Sequence, residues 1–143
     1  MNIYKLLTQI SLSSKPQFWA GGVSGNDIRK SERTLGLSFP EEYKVFLEKF
    51  GAGSIGSLEI YGLGCPSTGV PNVEFVIEAL NKLETSLPDG LLPIAMEDNG
   101  GYACLVCKQS HLGPLGCVVD FMGTSVEAKE IASSFAEYLE TKI

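Results

Sequence analysis

Histidine occurs once in this chain of 143 residues, cysteine four times, and long apolar runs not at all. The single histidine, His111, falls in a Gly/Pro-rich turn between two expected strands. A Cys/His dyad needs a partner held beside the imidazole, and nothing near His111 supplies one, so a solvated loop residue is its plain reading. No apolar stretch approaches the roughly 18 residues that a membrane-crossing helix needs. At the N-terminus, Ile3 is separated from Met1 and Leu6 by Asn2, Tyr4 and Lys5, which is not the continuous apolar core of a secretory signal. The expectation is a cytoplasmic protein. No basic patch with interleaved aromatics is present, which argues against nucleic acid as a partner. Internal repeats and low-complexity segments are absent too, as is the low-hydrophobicity, high-charge composition of disordered chains.

What the chain does contain is enough for one core. A domain of this length buries roughly 68–70% of its unfolded surface and needs no metal or disulfide to hold together. The formal charge is −6, unevenly placed. Residues 1–49 carry 7 basic and 5 acidic side chains, a balance of +2; residues 50–143 carry 4 and 12, a balance of −8. Such a balance repels anionic surfaces and favours a basic partner. It also serves solubility, whatever the partner.

The apolar spacing divides the chain into elements. Ile3, Leu6, Leu7 and Ile10 line one face of a first helix. Residues 13–25 read as a loop from which Phe18 and Trp19 fold back onto the core. A second helix is expected over Asn26–Leu35, with Asn26 as N-cap and Gly36 just past its end. A third begins at Pro40, capped by Ser38 with Glu41 or entered through Phe39, and buries Tyr43, Phe46, Leu47 and Phe50 before Gly51. A strand follows over Ser57–Gly62. A fourth helix over Val70–Ser86 buries Val73, Val76, Ile77, Leu80 and Leu83. Three strands come next: Leu91–Glu97, Tyr102–Cys107 and Gly116–Met122. The first two flank Asp98-Asn99-Gly100-Gly101, a strong hairpin turn. The last helix is expected from Thr124, with Glu127 at capping-box spacing and Ile131, Phe135, Tyr138 and Leu139 on its buried stripe. This order predicts one α+β domain over residues 1–143, with an antiparallel sheet covered by helices on one side.

Four cysteines invite a zinc or redox reading, and Cys104 and Cys107 have C-x-x-C spacing. On a strand, however, residues three apart point to opposite faces. Their Cα atoms then stand about 10 Å apart, beyond the reach of a disulfide or of one zinc ion. Cys65 and Cys117 are isolated, so all four read as small buried hydrophobes. The stretch Gly51–Gly56 is rich in glycine but lacks the Lys-Ser/Thr pair of a phosphate loop, and it follows a helix instead of leading into one. Glu97, Asp98 and Asp120 converge if the two strand ends meet. Turn acids in solvent and acids facing a partner both remain open for them.

The block from Ile28 to Gly53 carries the most specific pattern. Ile28 and Glu32 precede Leu35-Gly36-Leu37, then Pro40, Tyr43, Phe46-Leu47, and the stop Gly51-Ala52-Gly53. The pattern resembles the SUKH superfamily, the Smi/Knr cell-wall-assembly regulators, and within it the YobK-type toxin-immunity proteins. Weaker matches continue at Ile60-Tyr61-Gly62, Leu92-Pro93-Ile94, Gly100-Gly101, Val119-Asp120 and Ser134-Phe135. Phe39 departs from the usual Leu before the proline, and the C-x-x-C pair has no counterpart in the family pattern. The resemblance implies an α+β fold and a protein that binds a polymorphic or contact-delivered toxin, often a nuclease, and occludes its active site. It implies no catalytic residue, cofactor or metal. A regulatory scaffold and a small thiol-dependent enzyme are the alternatives. For a basic toxin domain, the expected contact residues are Glu59, Tyr61, Glu97, Asp98 and Asp120, which sit near strand ends and loops.

Overall fold

The computed structural model describes residues 2–64, 71–82, 87–109, 112–122 and 128–143. The elements run α1 (Ile3–Leu12), β1 (Gln17–Trp19), α2 (Gly25–Leu35), α3 (Glu41–Lys49), β2 (Gly53–Ile55), β3 (Leu58–Ile60), α4 (Val73–Lys82), β4 (Leu91–Met96), β5 (Tyr102–Val106), β6 (Val118–Phe121), β7 (Lys129–Ala132) and α5 (Phe135–Lys142). The class is α+β, as expected. The strands form two sheets, in orders β1-β2-β3 and β4-β5-β6-β7, and every pairing between named strands is antiparallel.

The first four helices form where the apolar spacing placed them. Ile3, Leu6, Leu7 and Ile10 are all buried on α1, and Asn2 caps it by accepting from Lys5 N. On α3 the buried residues are Tyr43, Phe46 and Leu47, with Phe50 just beyond. Caps differ from the sequence expectation. Ser24, not Asn26, caps α2; its hydroxyl accepts from Asp27 N. Pro40 itself holds the N-cap position of α3, with no side-chain bond, so neither Ser38 nor Phe39 has that role. The carboxylate of Glu32 instead accepts from Phe39 N at 2.7 Å and fixes the turn between the two helices. Gly36 ends α2 at φ 67, a left-handed conformation that favours glycine.

Three short strands escaped the sequence reading. β1 lies within the expected loop, and β2 follows Gly51 directly. Trp19 on β1 stacks on Phe50 at 4.3 Å between ring centroids and meets Phe46 edge-on at 5.9 Å. Phe18, one residue earlier, points the other way and is 66% exposed, so only one of the two aromatics folds back. Gly53 admits this arrangement, because any Cβ there would collide with the Phe18 carbonyl. The third is β7. Ile131 belongs to it and not to the last helix, which was expected from Thr124: α5 begins only at Phe135, with Ser134 as its N-cap accepting from Glu137 N. Glu42 of α3 adds a second cap by accepting from Ala136 N at 3.0 Å. Val70, Leu83, Ser86, Thr124 and Glu127 lie outside the described residues.

The four-stranded sheet is apolar on both faces, not one. Leu92, Ile94, Ala103, Leu105 and Val118 face the helices in the main core. Leu91, Cys104, Val106, Cys117, Val119 and Phe121 form a second cluster on the opposite face, closed by Leu112.

The two sheets and the helical layer meet at Tyr61. A register shift between Pro93 and Ala95 leaves Ile94 out of the β4–β5 ladder. Its carbonyl accepts from Tyr61 N at 2.7 Å. The Tyr61 carbonyl accepts from the Tyr43 hydroxyl at 2.7 Å, and Tyr43 is fully buried on α3. Tyr43→Phe keeps the ring and leaves that buried carbonyl unpaired. The expected loss is about 1–3 kcal/mol of unfolding free energy, read as a lower urea midpoint with an unchanged slope.

Candidate functional site

The hairpin between β4 and β5 closes as its residues demand. Gly100 takes φ 87, Gly100 N donates to the Glu97 carbonyl at 3.0 Å, and Glu97 N donates to the Gly101 carbonyl at 2.7 Å. The Asn99 side chain makes two bonds. Its Oδ1 accepts from Gly101 N at 2.8 Å, and its Nδ2 donates to Asp120 Oδ2 at 2.6 Å. Antiparallel register places Asp120 opposite Ala103, beside the turn. The ends of the two strands therefore do meet, and Asp98 and Asp120 come together at one end of the sheet.

Helix α5 forms the other wall. Lys142 Nζ pairs with Glu97 Oε2 at 2.8 Å and lies 5.7 Å from the centre of the Tyr138 ring. The pair divides the recess into two adjoining clefts that share Glu97, Asp98, Tyr138, Thr141 and Lys142. The first, about 300 Å³, adds Glu59, Leu58 and Met96. The second, about 360 Å³, adds Asn99, Asp120 and Ile131. Among the described residues, four carboxylates line the recess against the ammonium of Lys142.

Of the five expected contact residues, Glu59, Glu97, Asp98 and Asp120 border this recess. Tyr61 does not. It is 6% exposed and its side chain belongs to the main core, because both its backbone polar groups are committed to the joint between the sheets. Burial, with Tyr102 and Glu59 nearby, pushes its phenol up to about 12.

Two residues of the recess had only a structural reading in the sequence, or none. Tyr138 appeared as part of a buried stripe, and Lys142 was not singled out. They stand four apart on α5 and so share one face. That spacing was visible in the sequence, but it pointed nowhere until the hairpin was placed against the helix. Tyr138 is 1% exposed and its hydroxyl is buried beside Glu97, while Asp120 Oδ1 is buried without a hydrogen-bond partner. Burial raises the Tyr138 phenol, the charge of Glu97 and a side-chain hydrogen bond to it raise it further, and Asp120 and Asp98 add to the rise. The phenol therefore stays neutral.

The thiols lie elsewhere. Cys104 sits in the second cluster and Cys107 in the main core, on opposite faces of the sheet. They cannot act as a pair. Among the described residues, no group of three or more His, Cys, Asp or Glu side chains is placed to hold a metal ion. Cys65 and His111 lie outside the described residues.

The chain matches the family model described as SUKH_5, SMI1-KNR4 cell-wall, over residues 3–143. It belongs to the SUKH family. A similar fold is seen among solved structures in the crystal structure of a protein from Pseudomonas syringae pv. tomato. That structure is 19% identical, with a TM-score of 0.69 over 96% of this chain and 95% of that one. At this identity the likeness is one of fold. In this SUKH chain the family pattern from Ile28 to Gly53 is architectural: Glu32 fixes a turn, Gly36 ends a helix, and Tyr43 ties helices to sheets. Among the described residues, no helix is long and apolar enough to cross a membrane.

Burial pushes Cys107 up to about 12, with Glu32 adding to it, and Cys117 up to about 11, with Glu130 adding to it. Cys104 is raised as well, by burial and then by Asp120. A Cys65→Ser variant at pH 8 should therefore leave 5,5′-dithiobis(2-nitrobenzoate) unreacted while folded and release three equivalents in denaturant. Because the folded chain holds these protons more tightly than the unfolded one, stability is fully present below the ordinary thiol value of about 9 and declines as pH rises from there toward 11 and 12. Urea midpoints between pH 7 and 11 check the sign; a rising midpoint contradicts it.

Proposed function

We propose that this SUKH protein is an immunity protein without catalytic activity, acting in the cytoplasm by binding a basic toxin domain one to one and covering its active site. The observation that carries this reading is the acidic recess. Glu59, Glu97, Asp98 and Asp120 come from three separate stretches of chain and converge on one end of the molecule. A nuclease active site is built to receive phosphates, so its rim is cationic. A surface of clustered carboxylates complements that rim and competes for the same place as the substrate.

Charge at the rim acts mainly on the rate of encounter, whereas desolvated contacts act on the rate of escape. Glu59 and Asp98 are exposed and suit the first role. Glu97 and Asp120 are less exposed and carry the local hydrogen bonds, so they suit the second.

The test uses the protein encoded beside this chain's gene. Co-expression should rescue growth from that protein's toxicity, and the purified pair should associate more slowly as salt rises from 0.05 to 0.5 M. Replacing Glu59 and Asp98 together by Gln and Asn should slow association about tenfold at low salt and leave dissociation nearly unchanged. An association rate indifferent to salt removes electrostatic steering. Absence of both rescue and association removes the immunity reading altogether.

A further inference from the structure

Asn99 is the one asparagine in the chain followed by glycine. The pair suits a tight hairpin turn, and it is also the dipeptide most open to a spontaneous reaction. Glycine carries no Cβ, so its backbone nitrogen can reach the side-chain amide carbon of the residue before it. Asparagine is thermolabile for this reason. Nothing crowds the approach here: a Cβ built at Gly100 would meet no atom within 4 Å, and Asn99 and Gly100 are both exposed to water.

The fold nevertheless occupies both reacting groups. Asn99 Oδ1 accepts from Gly101 N at 2.8 Å and Nδ2 donates to Asp120 Oδ2 at 2.6 Å, so the side-chain amide is fixed at both ends. The attacking nitrogen is engaged as well, since Gly100 N donates to the Glu97 carbonyl at 3.0 Å. Two of these bonds lie within the turn. The third ties the turn to β6, where the sheet register holds Asp120 opposite Ala103.

We propose that Asn99-Gly100 is a site of spontaneous deamidation guarded by the folded hairpin, with Asp120 as its latch, and that conversion is a one-way step that unties the hairpin from β6. The modification is independent of what the recess binds.

The reaction proceeds when the turn opens locally. Hydroxide removes the Gly100 amide proton, and the nitrogen attacks Asn99 Cγ. A bond forms between Gly100 N and Asn99 Cγ, the Cγ–Nδ2 bond breaks, and Nδ2 leaves as ammonia with a proton taken from water. The succinimide then adds water. Opening at Cγ gives aspartate; opening at the main-chain carbonyl gives isoaspartate, with one more methylene in the backbone. The net change is one water consumed and one ammonia released. Either product puts a carboxylate where the Nδ2 donor was. Asp120 Oδ2 then faces a like charge in place of an N–H, so the turn does not latch again. The second cleft, which Asn99 lines, gains a further anion beside Asp98 and Asp120.

The test incubates the full chain at pH 8, folded and in denaturing guanidinium chloride, and follows Asn99 by peptide mass spectrometry as a gain of one mass unit. Conversion should be at least about tenfold slower in the folded chain, because one charge-assisted bond and the turn must open first. Folded Asp120→Ala, which removes the latch alone, should convert several-fold faster than the folded wild type. Asn99→Asp represents the aspartate product and should lower the urea midpoint. Adding Asp120→Asn to it restores a donor facing a carboxylate, with the partners exchanged, and should recover most of the loss. Equal conversion folded and unfolded would overturn the guard. Unchanged conversion in folded Asp120→Ala would overturn the latch. An Asn99→Asp variant as stable as the wild type, or no recovery in the exchanged pair, would overturn the one-way step, and these two readings hold even where Asp120→Ala does not fold.

Discussion

The bond from the Tyr43 hydroxyl to the Tyr61 carbonyl is the constraint on which the rest of the structure depends. Tyr61 lies where β3 leaves its own sheet and touches the other. Its N–H goes to Ile94 at the bulge of β4, and its carbonyl goes to α3. A backbone at such a crossing belongs to neither ladder, and its polar groups are costly to bury unpaired. Here both are satisfied, one by each neighbouring layer. The aromatic packing around Tyr43 secures the donor: Phe39, Phe46 and Phe135 all stand within 6.1 Å of its ring. Phe135 opens α5, so the same cluster sets where the last helix lies and, through it, where Tyr138 and Lys142 face the hairpin.

That arrangement separates two kinds of buried polar chemistry. The thiols of Cys104, Cys107 and Cys117 are dispersed over both faces of the four-stranded sheet and are held protonated by burial. They pack as small apolar groups. The carboxylates, in contrast, gather at one end of the molecule, where the turn Asp98–Gly101, β6 and α5 meet. Among the described residues, only Glu97 of these finds a cation within the recess. The net negative charge of the second part of the chain is thus a local property of one surface as well as a global one, and a local field of this kind is what a basic partner meets first.

Much of this was legible in the residue pattern. The four helices with sustained 3.6-residue spacing appear where expected, and the hairpin was evident from Asp98-Asn99-Gly100-Gly101. The opposite orientation of Cys104 and Cys107 followed from strand alternation alone. The short strands β1, β2 and β7 were not legible, because three or four residues carry too little periodicity to tell strand from loop. The start of α5 was misplaced for a related reason. Thr124 and Glu127 have the same spacing as Ser134 and Glu137, and local chemistry does not rank two possible caps; the packing of Phe135 against Tyr43 and Phe46 does.

The sequence by itself determined the α+β class, the family, the faces of the helices and the acidic character of residues 50–143, since each is carried by local spacing or by composition. Only the tertiary structure decided which acids share a surface. It withdrew Tyr61 into the core, because its backbone is needed where the sheets join. It also brought Tyr138 of α5 against Asp98 and Asp120, which lie far away in the chain. Such proximity depends on long-range packing, and no short stretch of sequence encodes it.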